Sequence, residues 1–532
     1  MLAHSFRAPK QDGAVLAVPP LADGVSLLKA NQSRLASWDY DFQGRSYSAL
    51  REKARADVFE AAARYHAEAG LDLPPAYQGG AVVVTGHQPE LFHAGVWVKN
   101  FAVAGLARSA GTTGLNFVVD NDIPKGAYIR VPDLVSGSLK SRPVLFDDWK
   151  SEAPFEDQSI ENQAQFAGFP SQVHAMLGRQ VADPLIDHFW THVNSAPAEI
   201  SVIGRRFARA RRLIEAEWGV RNWEVPLSSI CETDGFRWFA THLLAHLPRF
   251  QGIHNDALTR YRKLYGIRSK NHPVADLGRE DDWLESPFWV WRKREARRRP
   301  LMARQLAKVL QLRIGGESAP FLELPLTIDT EGCCGVEAMQ TLPDQGIRLR
   351  TRALTTTMFA RFLVGDLFIH GIGGAKYDEL GDEISRGFFG IEPPEFLTLS
   401  MTLHLGLPTT TATIDDLRRV DRRIRDVRWQ PEGTIESGGE VSDLIAKKRA
   451  LIASEPSHHF ERKARYVALR QVNDNLAARL ADRIPSLRAE RAVLVESLRN
   501  DSVARSREYS LVLHNSVRIH DAMTRVFQVN QG

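Results

Sequence analysis

Residues 81–120, AVVVTGHQPELFHAGVWVKNFAVAGLARSAGTTGLNFVVD, decide the fold class. The β-branched run Val82–Val84 predicts a buried strand, and residues 94–110 carry Val96, Val98, Phe101, Ala102 and Leu106 in a helical pattern. A glycine turn, GTTG, follows, and LNFVVDNDIP predicts a second buried strand that ends in acids. Strand, turn, helix, strand is a βαβ unit, so the class is α/β, with a parallel sheet carrying helices on both faces. The segment GDLFIHGIGGAKYDELGDEI, residues 365–384, repeats strand, glycine turn and helix.

Upstream, YSALREKARADVFEAAARYH (47–66) predicts an amphipathic helix with Leu50, Ala54, Val58, Ala61 and Ala62 on its apolar side, and the Pro/Gly-rich stretch LDLPPAYQGG ends it. Four regions are expected. Residues 1–80 form a helical N-terminal segment, 81–140 with 321–408 the sheet core, 141–320 a mostly helical insertion, and 409–532 a helical C-terminal region. From Asp415 to Glu508 the chain is rich in Arg, Lys, Glu, Leu and Ala, broken mainly at EGTIESGGE, Pro456 and Pro485. Leu476, Leu480, Ile484 and Leu487 recur at three- and four-residue spacing, which predicts a long helical hairpin or a coiled coil.

At 532 residues the chain is too long for one ordinary domain of about 100–200 residues. Its 43% hydrophobic and 25% charged residues exclude global disorder. No run approaches the ~18 apolar residues that span a bilayer, and the N-terminus lacks a signal-peptide pattern, so a cytoplasmic location without a membrane partner is expected. Sixty-eight basic against 64 acidic residues leave a formal charge of +4, which gives no argument for a nucleic-acid partner. The basic runs Gly204–Arg212 and Trp291–Arg299 read as solvated helix faces, and Trp283, Phe288, Trp289 and Trp291 as core packing. Cys231, Cys333 and Cys334 have neither disulfide nor metal spacing, and the adjacent pair Cys333-Cys334 reads as buried free thiols; no metal-ligating set is assigned.

Three constellations point to chemistry. Thr85-Gly86-His87-Gln88 stands at the end of the first core strand, with His93 and Lys99 in the following turns. Ligands of open parallel sheets sit beyond the carboxyl ends of the strands, where glycine lets backbone approach them. Asp120-Asn121-Asp122 with Lys125 closes the next strand, and carboxylates there can hold an ammonium group, ribose hydroxyls or Mg²⁺. The third is His370 with Gly371, Gly373, Gly374, Lys376, Tyr377 and Asp378. It reads as a glycine loop between strand and helix that can take phosphate or carboxylate, and it matches neither a P-loop nor a dinucleotide fingerprint. Arg350, Arg352 and Arg361 just upstream could clamp an anion or form a solvated basic face.

These motifs resemble the bacillithiol synthase family. VVVTGHQPELFHAGVWVKNFAVA is similar to that family's strand and TGQQ-type turn with a lysine in the helix. Asp120 and Asp122 stand at its acid-rich strand end, and LRTRALTTTMFARFLVGDLFIHGIGGAKYDELGDEI is similar to its arginine segment and GGPGE-type loop. His87 replaces the first Gln of the turn, and GIGGAKYDE departs from the loop. The resemblance implies a Rossmann-like, nucleotidyltransferase-type core with inserted segments, an adenine nucleotide as ligand, and a C-terminal coiled coil that forms a homodimer. It implies a carbon–nitrogen ligase that joins an amino acid, cysteine in the family, to an amino-sugar-type acceptor. A need for Mg²⁺ is left open.

On this reading Asp120 or Asp122 anchors an amine or ribose, and the glycine turns with Lys376 or an arginine hold an anion. Either His87 or His370 is the general acid/base, because imidazole titrates near neutral pH. The alternative is a non-catalytic nucleotide-binding or scaffold protein that works through its coiled coil.

Overall fold

A computed structural model describes residues 6–133, 139–149, 152–293, 295, 297–433 and 439–528. Its first sheet holds six strands: β1 (Val15–Val18), β2 (Val82–His87), β3 (Thr113–Val118), β4 (Trp223–Pro226), β5 (Leu367–His370) and β6 (Phe396–Met401). Their order is β1-β6-β5-β2-β3-β4. β1 runs antiparallel to β6, and the other five strands are parallel. The chain is therefore a mixed α/β protein built on a parallel sheet with helices.

Helix α1 (Tyr47–Glu68) buries Leu50, Ala54, Val58, Ala61 and Ala62, the five positions its periodicity marks. These side chains share a core with Val82 and Val84 of β2 and with Leu115 and Phe117 of β3. Helix α2 (Ala94–Ser109) links β2 to β3, and its N-terminus is capped by His93, whose Nδ1 accepts from the Gly95 N–H at 3.1 Å.

The stretch expected to be mainly helical contains helices α3 (Ile186–Asn194) and α4 (Ile203–Glu217) but also most of a second sheet. Strands Leu322–Leu324, Val309–Ile314, Arg299–Leu306, Trp283–Arg292 and Ile347–Thr351 pair in that order, all antiparallel. Leu301 and Ala303 with Leu310, Leu312 and Ile314 point inward at strand spacing. The arginines between Trp291 and Pro300 hide that period-two pattern behind what looks like a charged helix face. Arg294 and Ala296 of that basic run lie outside the described residues.

The described chain divides into two units: residues 1–131, 142–405 and 507–532 form the first, and 132–141 with 406–506 the second. The second holds four helices, Ile414–Trp429, Glu440–Ala453, His459–Ala478 and Arg483–Ala504, in place of one long hairpin. Leu476 packs with Val441, Ile445 and Val472, whereas Leu480 and Leu487 pack with Val427. The leucine row is thus split between two small cores. Residues 434–438 of the expected break lie outside the described residues. Among those described, no helix is long and apolar enough to cross a membrane.

Candidate functional site

From β2 the chain moves to β3 on one side, while β5 leads to β6 on the other, so connections diverge at the β2–β5 boundary. Ile369 pairs with Thr85, which brings the first and third sequence constellations to neighbouring strand ends. Thr85 is buried and donates its hydroxyl to the Ile369 carbonyl at 2.8 Å. A Cβ on Gly86 would sit 3.1 Å from the Cβ of Phe117 and 3.3 Å from its carbonyl oxygen. That glycine serves the close approach of β3.

His87 is buried, its Nε2 lies 3.0 Å from Asn100 Oδ1, and its Nδ1 lies 3.1 Å from the Gln88 carbonyl. Burial, then the nearby Lys99 and Arg211, hold its pKa well below the ordinary value. Asn100 leads into a polar network. Glu215 accepts from Asn100 Nδ2 and Trp97 Nε1, each at 2.7 Å, and pairs with Arg211 at 2.8 Å. Arg211 also pairs with Glu224, which accepts from Asn116 at 2.7 Å. Arg209, Arg211 and Arg212 are therefore buried, contrary to the solvated face expected for 204–212. Two internal glutamates give Arg211 its partners.

Lys99 is buried as well. Its Nζ donates to the Gly86 carbonyl at 3.0 Å, and burial lowers its pKa from 10.5 to about 7. Asp120, two residues past β3, accepts from the Ser228 amide at 2.9 Å and from the Ser228 hydroxyl at 2.5 Å. Burial, reinforced by Glu156, pushes its pKa up to about 7. Two buried groups whose pKa values burial brings to about 7 thus meet the sheet here, Lys99 from α2 at Gly86 of β2 and Asp120 just past β3.

The lysine has a measurable signature. Its folded-state pKa lies below the unfolded value, so its charge penalises folding fully below about pH 7 and is relieved as pH rises toward 10.5. Lys99→Met is expected to be more stable than the parent at pH 7 by roughly 3 kcal/mol, with the gain vanishing by about pH 10. Urea denaturation across that range tests it, and a gain that stays constant with pH would refute the assignment.

Asp122 accepts from Gln88 Nε2 at 3.0 Å and pairs with Arg298 at 2.9 Å, while Arg298 also donates to the Asn121 carbonyl. Part of the second basic run therefore folds onto the β3 end. Lys125 is exposed. Arg350 is buried between Glu156 and Glu232, at 2.8 and 3.0 Å, and Arg352 pairs with Glu285 at 2.6 Å over the ring of Trp289. Arg361 pairs with Asp378 at 2.9 Å and Asp382 at 2.7 Å. All three arginines of the expected anion clamp hold protein carboxylates.

The glycine loop is a helix start: α5 (Ile372–Phe389) begins directly after its N-cap Gly371, so Gly373 and Gly374 lie in its first turn. A Cβ on Gly374 would come 2.8 Å from His370 Nδ1, whereas one on Gly371 or Gly373 would meet open space. The first N–H groups of a helix have no partner within it and can meet an anion. Lys376 is exposed and Tyr377 half-buried, but Asp378 and His370 are buried. His370 Nε2 lies 2.6 Å from Asp378 Oδ2, and its ring packs against Phe368 and Phe396. His93 is the cap of α2; burial, partly offset by Glu508 3.6 Å away, holds its pKa down to about 4.

Trp283, Phe288 and Trp291 are buried as expected and Trp289 is half-buried, while Cys334 is exposed and Cys333 half-buried, against the buried-thiol reading of that pair. Ser228, Glu156, Arg298 and Asn100 escape the sequence reading because each reaches the site without a motif of its own. The fold and strand ends define a mixed α/β protein whose parallel strands end among buried polar side chains. No protein-family model matches this chain, and no curated protein matches it.

Proposed function

We propose that the chain is a carbon–nitrogen ligase of the bacillithiol synthase type, joining a cysteine-like amino acid to an amino-sugar-type acceptor. In this reading the parallel sheet is a Rossmann-like, nucleotidyltransferase-type core. The observation that carries it is two buried groups, Lys99 of α2, whose Nζ bonds to the Gly86 carbonyl near the end of β2, and Asp120 just past β3, both brought to about pH 7. Amide formation needs such groups: the amine must shed a proton as its nitrogen attacks, and the carbonyl oxygen gathers charge.

Asp120 takes the amine proton, and Lys99 in its ammonium form stabilises the oxygen. The nitrogen–carbon bond forms as the bond from that carbon to its leaving oxygen breaks. This assigns the acid/base work to Asp120 and Lys99, since His87 is held neutral by burial and His370 is committed to Asp378. Open space around Gly371 and Gly373 suits an adenine nucleotide, whose phosphates the first-turn N–H groups and Lys376 would hold. Bound there, it would supply the activating group for the carboxylate.

We further propose that the four helices of residues 406–506 act as a coiled-coil dimer surface. Phe460 and Val467, seven residues apart and 84% and 54% exposed, support this.

The test is a thermal-shift screen with ATP, ADP and AMP, with and without Mg²⁺, plus cysteine and glucosaminyl malate. A ligand at 100 times its dissociation constant should add about 2.7 kcal/mol. Stabilisation by nucleotide and by the amino-sugar acid is expected, with turnover lost in Asp120→Asn and strongly reduced in Lys376→Ala. In sedimentation the same preparation should run as a dimer that Phe460→Glu with Val467→Glu dissociates. A nucleotide shift without turnover would favour the scaffold reading, and no shift at all would overturn the ligase.

A further inference from the structure

Helix α3 buries Ile186, Phe189, Trp190 and Val193, which leaves Asp187, His188, Thr191 and His192 on its outer side. His188 and His192 are four residues apart, so one helical turn stacks their rings on the same face. Their ring centroids are 4.8 Å apart. Glu217, the last residue of α4, reaches across to both. His188 Nε2 lies 2.6 Å from one carboxylate oxygen and His192 Nε2 2.8 Å from the other. The ligand atoms of the three side chains all fall within 4.8 Å of one another, the only such set among the described residues.

We propose that His188, His192 and Glu217 bind a divalent transition-metal ion, Zn²⁺ in the first instance, that ties α3 to the end of α4. Two imidazoles and one carboxylate are the donor set of borderline ions, which excludes Ca²⁺ and Mg²⁺ as preferred occupants. Bonds of 2.0–2.1 Å in a tetrahedral shell place neighbouring donors about 3.4 Å apart. The two nitrogen–oxygen separations of 2.6 and 2.8 Å are shorter, so each histidine need only move from its carboxylate oxygen by a fraction of an ångström. The rings can do so because His188 and Glu217 are half-exposed at 45% and 43% of their side-chain surface. The same exposure leaves the remaining coordination position to water. The apolar side of α3 fixes the backbone from which both histidines project, so two of three ligands are pre-organised.

Nothing in this assignment depends on the ligase reading, because the three residues play no part in the proposed reaction. It also departs from the sequence reading, which assigns no metal-ligating set. The pattern His-x₃-His is visible at 188–192, but the carboxylate lies 25 residues beyond His192 and meets it only through the α3–α4 packing.

The full-length chain, prepared without a histidine tag and stripped with chelator, is titrated calorimetrically with Zn²⁺ and spectroscopically with Co²⁺. The expected result is one ion per chain, with the strong visible absorption of low-coordinate Co²⁺ and a rise in melting temperature that chelator reverses. His188→Ala with His192→Ala should weaken binding by at least about 100-fold and abolish the absorption band, since it removes two of three ligands. Glu217→Gln keeps both rings and the shape of the site, and should weaken binding about tenfold while shifting the band. Equal Zn²⁺ affinity in the parent and Glu217→Gln, or no stoichiometric binding by the parent, would overturn the site. Should the double variant unfold, the Glu217→Gln comparison and the parent's Co²⁺ spectrum still decide.

Discussion

Replacing Arg211 with methionine is expected to cost the fold about 3–5 kcal/mol at pH 7, enough to unfold a marginal domain. The guanidinium is buried, and burial alone would favour its loss of charge, but Glu215 and Glu224 on either side raise its pKa above the ordinary value. Their side chains are 1% and 0% exposed, so without Arg211 two carboxylates stay in the core with no paired cation and only the more remote charge of Arg212 acting on them. Their remaining partners, Trp97, Asn100, Asn116 and Tyr65, are neutral donors that solvate a charge without cancelling it. Adding Glu215→Gln and Glu224→Gln to the variant should recover most of the loss. The amide at 215 keeps the one oxygen that accepts from Trp97 and Asn100, the amide at 224 keeps an oxygen for Asn116 and gives up the longer Tyr65 contact, and neither brings net charge. A denaturant titration of the four chains forms the cycle. An Arg211→Met variant within about 1 kcal/mol of the parent would show the network to be solvent-reachable.

This network marks where the sequence stops being legible. Val82–Val84, the helical spacing of α1 and the order strand, helix, strand are readable because apolar side chains obey periods set by backbone geometry alone. Charge follows no such period. GRRFARARR, residues 204–212, has the composition of a wet helix face, and what makes Arg211 an interior residue is Glu215 together with Glu224, which lies outside that helix. The same holds for Arg350, Arg352 and Arg361, whose carboxylates lie 17 to 194 residues away along the chain. His370 and Asp378 are legible as neighbours within one motif, but their burial is not, since it depends on Phe396 and on the first turn of α5. Strand ends are thus predictable places, and the protonation chemistry at them is not.

Arg361→Met is the second large effect, again about 3–5 kcal/mol at neutral pH, and the carboxyl that it holds down gives it a pH signature. Arg361 is buried against Asp378, Asp382 and the Pro394 carbonyl, with its guanidinium 5.0 Å from the Phe396 ring. Burial by itself would raise the pKa of Asp378; His370 and Arg361 outweigh it and hold the carboxyl down to about 2. A carboxylate with a folded-state pKa below its unfolded value of 3.8 adds stability at every pH above 3.8 and loses it as pH falls toward 2. In the parent this amounts to about 2 kcal/mol that disappears between roughly pH 4 and pH 2. Without Arg361, Asp378 loses one of its two cations and Asp382, already raised chiefly by burial, loses its nearest. Both acids then neutralise more readily on folding, so the variant should shed less stability than the parent as the solution is acidified. The two unfolding curves should converge from a wide gap at pH 7 to a narrow one near pH 3. A gap independent of pH would mean that the arginine acts through packing on Phe396 and not through its charge.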